Sequence, residues 1–482
     1  MRSIFDLRRL PVFFVCICAL ASPACAPGQS PDRKPAVVPH VEERVELLSI
    51  VFRLSGDPGY NMNTLPAYSA DIDRYFAPYK DHPAVRMAQA LRNSKGVGFD
   101  AVMAMAISLS PPPELKPLVA FTPEVPDERW GVADVERFLP LLRGFYRDSK
   151  FAEFYAAHQT MYRLAETRFA TTLGSVDFGW YPRFYGKAPD LTYHLILGMN
   201  NGGGNYGPRL VHPDGSAELF SIIGCWTHDD AGNPTYPPEQ GYLSTIIHEF
   251  NHSFVNPAVA EHWSDFSGVE KVYAPVAEQM KRMAYGEAKT MVDESLVRAA
   301  VIVYFQDAGE DSHENLKRIR EEQRKGFFWM DALVDMLKQY KAQRAQYPVF
   351  SSYVPQVALF YRNLAPRAAA EAPAFSAKSA HVVSMAPFAN HSQDVDASVQ
   401  TIEIVVDKPL DSGAGTSINY GPGGSEHFPI KGVPAFGDGG LRILLPVQLK
   451  PNQAYSFVLT PAAFATPDCY PLESYTAEFK TK

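Results

Sequence analysis

Cysteine is scarce. The chain has 482 residues and five cysteines, and three of these lie within the first 25 positions. Only Cys225 and Cys469 remain beyond them, too few for a disulfide framework or a cysteine-rich structural metal site. They either bridge two domains or stand as two separate thiols. Positive charge is also short. The 45 Lys and Arg face 53 Asp and Glu, a net charge of −8, with no basic patch of the kind nucleic acid needs. The run Arg318 to Lys325 reads as a solvated helix face. Beyond Ala21 no apolar run is long enough to span a bilayer. Nor is there a phosphate-binding loop, because neither Lys-Ser/Thr nor a helix pattern follows the glycine-rich stretch Asn200 to Gly207.

What is present begins with a leader. Arg2, Arg8 and Arg9 precede the apolar run Leu10 to Ala21, and small residues follow up to Cys25. Residues 1–25 thus have the form of a secretory signal peptide. Cys25 either carries a lipid anchor, or the leader is cut near Ala24 or Ala26. Residues 26–40, rich in Pro, Gly and Ser, read as a flexible tether. Either way the expected location is outside the bacterial cytoplasm: periplasmic, outer-membrane lipoprotein or extracellular.

The most informative segment is His248-Glu249-Phe250-Asn251-His252. Histidines four apart on a helix share one face, so both imidazoles can reach one metal ion. Glu249 stands about 100° round the helix. There it can hold a metal-bound water and take its proton. Pro237-Pro238-Glu239 is a suitable helix opening and Asn256-Pro257 a suitable stop. Leu243, Ile247, Phe250 and Phe254 mark a core-facing stripe between them. Asn251 and Ser253 read as polar packing or supporting groups.

A catalytic zinc needs a third protein ligand and one open position. A third histidine ten residues after the first is absent, since Ala258 stands there. Glu261, His262 and Asp265 fit no justifiable spacing. Glu294, in the helical stretch Val292 to Arg298, is the better candidate. Arg298 lies one turn on, facing either a carboxylate of the site, a substrate carboxylate or a surface ion-pair partner.

With these residues the chain resembles the gluzincin branch of the zincin metallopeptidases, and more closely an uncharacterised bacterial family of secreted HExxH proteins. The resemblance covers roughly residues 41–366. It implies an α+β zincin-like domain, Zn2+ held by His248, His252 and Glu294, and Glu249 as general base. Two departures stand out. Arg298 occupies a position where gluzincins carry an acid that orients a histidine, and the gap from His252 to Glu294 is long. Asp293 could orient a ligand instead. The resemblance also implies that an edge strand pairs with an extended substrate, with Leu191 to Met199 as its candidate. Asn200 to Gly207 would then lie at the cleft mouth and offer Tyr206 to the developing oxyanion; the plainer reading is a flexible hairpin turn. His194 reads as packed rather than a ligand.

Elsewhere Val41 to Leu54 has strand character. Helices are expected over Tyr68–Tyr79, His82–Asn93, Phe99–Leu109, Val132–Tyr146, Lys150–Phe169, Ser264–Ala284, Glu287–Phe305, Ser312–Lys325 and Phe327–Gln343. Glu218 to Trp226 is β-like, and residues 367–380 are a linker. Short β-like runs at Thr401–Val406, Leu441–Leu445, Ala454–Leu459 and Ser474–Lys480, separated by turn residues, indicate a small antiparallel sandwich. Residues 381–482 resemble bacterial Ig-like modules.

The expected function is a secreted or lipid-anchored zinc metallopeptidase acting on a peptide or protein substrate. The alternatives are a non-catalytic surface binding or adhesion protein of the same fold, and a metal-dependent hydrolase of another amide such as a peptidoglycan cross-link.

Overall fold

Val41 to Leu54, expected as a strand, is largely the helix α1 (Glu43–Leu54). Val45, Leu47, Leu48, Ile50, Val51 and Phe52 are all fully buried, so the helix is enclosed on every side and no 3.6-residue stripe is visible. Its charged residues find tertiary partners: Arg53 Nε donates to Asp73 Oδ1 at 2.9 Å, and Arg44 Nη1 to the Ile107 carbonyl at 3.1 Å. The computed structural model describes residues 37–186, 190–411, 418–461 and 464–482. The leader, Cys25 and most of the tether lie outside the described residues. Val38–Lys482 form one compact unit.

The helices that follow α1 are α2 (Pro66–Tyr75), α3 (Pro83–Lys95), α4 (Asp100–Ile107), α5 (Val132–Asp148), α6 (Phe151–Ala157), α7 (Gln159–Leu173) and α8 (Trp180–Tyr185). The helix expected over Lys150–Phe169 is thus two, parted at His158. A mixed sheet joins β1 (Pro39–His40), β2 (Leu191–Gly198), β3 (Arg209–Val211) and β4 (Ala217–Gly224) in the order β1-β2-β4-β3. The last two tether residues, Pro39 and His40, are therefore strand, paired with Leu195 and Ile196. β2 is not the edge expected of it, because it is parallel to β1 on one side and β4 on the other. The edge on the far side of β4 is the short antiparallel β3. Buried strands read as continuous apolar runs, and such a run does not reveal which strand is outermost.

Helix α9 (Tyr242–Glu261) carries the HExxH segment. It starts later than the prolines imply. Pro238–Gln240 form a single 3-10 turn, and Gly241, at φ 78°, turns the chain into α9. It also ends later, running through Pro257. Proline has no N–H for the carbonyl four residues back. Here that carbonyl belongs to Ser253, and Arg209 Nη1 donates to it from β3 at 3.2 Å. A side chain on a neighbouring strand thus replaces the missing helical bond, and the expected stop does not occur.

Beyond α9 the expected helix Ser264–Ala284 is broken into α10 (Glu270–Tyr273) and α11 (Ala277–Arg282), linked by a 3-10 turn at Ala274–Val276. Then come α12 (Ala288–Asp307), α13 (Ser312–Arg324), α14 (Met330–Ala342), α15 (Val354–Leu364) and the short α16 (Ala368–Glu371) and α17 (Ala374–Lys378). Helix α12 packs along α9 and is buried over most of its circumference.

The C-terminal region holds β5 (Val382–Ala386), β6 (Thr401–Val406), β7 (Ile418–Tyr420), β8 (Ala435–Gly437), β9 (Arg442–Pro446), β10 (Ala454–Leu459) and β11 (Tyr475–Lys480). They form two antiparallel sheets, β5-β6-β9-β8 and β11-β10-β7. Ile402, Ile404, Ile443 and Leu445 from one sheet share a core with Phe457, Leu459, Ala477 and Phe479 from the other. The alternation of inward and outward residues made these strands legible. The whole is an α+β protein, and no helix among the described residues is long and apolar enough to cross a membrane.

Candidate metal centre

His248 and His252 project from one face of α9 toward Glu294 on α12. Their Nε2 atoms are 3.1 Å apart, His252 Nε2 is 3.4 Å from Glu294 Oε1, and His248 Nε2 is 3.5 Å from Glu294 Oε2. Three ligand atoms bound tetrahedrally to zinc at about 2.1 Å would lie about 3.4 Å from one another. The observed triangle has that size. Among the described residues these three side chains form the one group of His, Cys, Asp and Glu with ligand atoms close enough to share an ion. Their side chains are 10–18% exposed, and Glu294 Oε2 is buried without a hydrogen bond. Arg298 Nη2 lies 3.2 Å from that oxygen as an ion-pair partner. The donor set fits zinc.

One of the two histidines has an orienting partner. His252 Nδ1 meets Asn256 Oδ1 at 3.1 Å, which fixes the proton on Nδ1 and leaves Nε2 free to bind. In the sequence Asn256 stands out only as part of a helix stop. The signal that could have found it is its spacing of four from His252 on a helix that does not stop. Asp293, proposed as the orienting acid, instead takes Lys289 Nζ at 2.9 Å. Glu261, His262 and Asp265 are away from the ligands, and His262 faces Asp265 at 3.3 Å.

The electrostatics follow from burial. Against the burial that would raise it, His248, His252 and Arg298 hold the Glu294 carboxyl well below its usual range. Burial lowers His248 well below its usual range, with Glu294 opposing and His252 and Arg298 adding to the shift. Burial also disfavours charge on His252, yet Glu294 and Glu249 hold that imidazole at about 9. Glu249 is only 6% exposed, and burial pushes its carboxyl up to about 8, with His252 opposing. A carboxyl shifted toward neutral pH beside the ligands is a group that can exchange a proton there.

The glycine-rich loop crosses α9 at Glu249. A Cβ on Gly207 would stand 2.0 Å from the Glu249 carbonyl oxygen, so only glycine permits this approach. Tyr206 is largely buried. Its backbone exchanges hydrogen bonds with Ile222, the residue is 7% exposed, and its hydroxyl is buried without a hydrogen-bond partner. His194 stacks on Phe220 and pairs with Glu218 at 2.7 Å, a packed residue as expected. Cys225 and Cys469 are both free thiols, Cys469 beside His313 at 3.6 Å, so no bridge joins the helical and β regions.

Fold and site together define an α+β protein with a two-histidine, one-glutamate cluster on paired helices. The chain belongs to the family described as Domain of unknown function (DUF4932), whose model matches residues 36–359 and so includes the whole cluster. None of the curated proteins matches. Slight likenesses exist to solved chains of the surface-layer protein SbsC. Its domains 1–6 give a TM-score of 0.18 at 14% identity over 50% of this chain and 33% of that one. Its N-terminal part gives 0.18 at 13% identity, over 50% and 57%. The chain thus spans about a third of the first of these, and similarity at this level carries no argument.

Proposed function

We propose that the chain is a zinc-dependent peptidase, exported and either free or lipid-anchored, with a zincin-like helical region and an Ig-like C-terminal module. The observation that carries this reading is the triangle of His248 Nε2, His252 Nε2 and the Glu294 carboxylate, with the Glu249 carboxyl buried beside it. Stability alone would not require that acid. When bound, zinc supplies Lewis acidity and lowers the pKa of water toward neutrality. Glu249 accepts the proton of the attacking water and returns it to the leaving amine.

The free edge of β3 supports an extended substrate. Tyr206 and Pro208 direct backbone groups at β4, through Tyr206 N to Ile222 O at 2.9 Å and Phe220 N to Pro208 O at 3.0 Å. By strand alternation the amide groups of Gly207 and Arg209 then point away from β4, while the face of Gly207 rests on the Glu249 turn of α9. A peptide added along that edge gains main-chain hydrogen bonds beside the base.

The test is metal analysis with turnover of a fluorogenic peptide library. The mature protein should hold about one zinc, from this ligand set. His248→Ala with His252→Ala should abolish it, and full zinc in that double variant would exclude the site. Wild-type protein that binds zinc but cleaves no peptide would favour the non-catalytic binding protein, or an amide outside peptides.

A further inference from the structure

We propose that Arg298 is a positioning residue for the metal centre, holding Glu294 in ligating geometry; this rests on the zinc reading above. Glu294 and Arg298 are one turn apart on α12, so they share a face. Arg298 Nη2 is 3.2 Å from Glu294 Oε2, the oxygen turned toward His248. A free glutamate side chain must lose rotamer entropy to serve as a ligand. An ion pair already formed removes much of that cost.

The guanidinium is itself pinned. Nη1 donates to Glu322 Oε2 on α13 at 2.9 Å, and Nη2 to the Tyr285 hydroxyl at 2.7 Å. Its carbon lies 5.3 Å from the Phe327 ring centroid, and its side chain is 15% exposed. Its planar fork is thus engaged at both terminal nitrogens, and Nε is buried without a partner. No pair of donors remains to clamp a substrate carboxylate, so the arginine faces the ligand and not the substrate. Where the gluzincin pattern has an acid that orients a histidine, this chain has a base that orients the glutamate.

The experiment measures zinc affinity of the full chain by chelator competition, with the Co2+ absorption spectrum as a report of coordination geometry. Arg298→Leu should bind zinc 10- to 100-fold more weakly and alter the Co2+ spectrum. Arg298→Lys, which keeps charge but loses the fork, should fall between it and wild type. In a Glu294→Ala background, Arg298→Leu should change zinc affinity no further, because the group it positions is gone. Equal loss in both backgrounds would mean a structural role only and overturn the proposal, as would wild-type affinity in Arg298→Leu. Should Arg298→Leu fail to fold, Arg298→Lys alone and within Glu294→Ala gives the same comparison. A wild-type chain that takes up no zinc would overturn the underlying reading, and this one with it.

Discussion

At the residue scale, a substitution at Glu249 tests whether the proposed site catalyses or only binds. Glu249→Gln keeps the shape of the side chain but removes the base. It should retain zinc and lose peptide hydrolysis by roughly a hundredfold or more, measured as kcat with metal content determined on the same sample. Glu46 offers a pH test away from the site. It is fully buried in α1, with Oε1 accepting from the Met199 amide at 2.7 Å and Oε2 from the Tyr68 hydroxyl at 2.8 Å. Burial, partly offset by these bonds, pushes its carboxyl from 4.5 up to about 7. The folded state therefore holds the proton more tightly than the unfolded chain. This contribution is fully present below pH 4.5 and is lost as pH rises through about 7. The shift is worth about 3 kcal/mol as an upper bound. Melting curves from pH 4 to 8 should fall less steeply with pH for Glu46→Gln than for wild type; parallel curves would mean that Glu46 titrates normally.

At the scale of elements, the site depends on two contacts of α9. One is with α12 through Glu294. Glu294→Ala should weaken zinc binding and reduce the thermal stabilisation that zinc confers, because metal affinity adds to folding free energy. Glu261→Ala and Asp265→Ala should do neither beyond small surface effects. The other contact is with the β3 edge. Gly207→Ala should push the strand off the Glu249 turn and destabilise by roughly 1–3 kcal/mol in denaturant titration. Arg209→Ala should leave the Ser253 carbonyl unmatched, at a cost of about 1 kcal/mol.

For the whole molecule, the C-terminal region rests on the helices it follows. Arg320 of α13 stacks over Tyr470 at 4.3 Å and its Nε donates to the Asp468 carbonyl at 3.3 Å, while the Ala380 amide donates to the Pro471 carbonyl at 3.1 Å. All three ligands nonetheless lie before residue 295. A chain ending at Ala374 should keep one zinc and melt at a lower temperature than the full chain, as calorimetry with metal analysis would show. Loss of the zinc as well would make the β region part of the site itself.

The sequence by itself determined the two histidines and their neighbouring acid, because a four-residue spacing on a helix is a local property. It also indicated Glu294, since that residue opens a long apolar helical run, and the C-terminal strands, since alternation survives where one face meets the core. Tertiary structure decided the rest. α1 is enclosed on all sides and so lost the periodicity that marks a helix. α9 passes Pro257 because Arg209, 48 positions earlier in the chain, caps the freed carbonyl. β3, and not β2, is the edge, because strand order depends on pairings distant in sequence. Asn256 beside His252, and Glu322 and Tyr285 beside Arg298, became visible only once the elements that carry them were brought together, since no pattern within one helix records what a neighbouring helix will present.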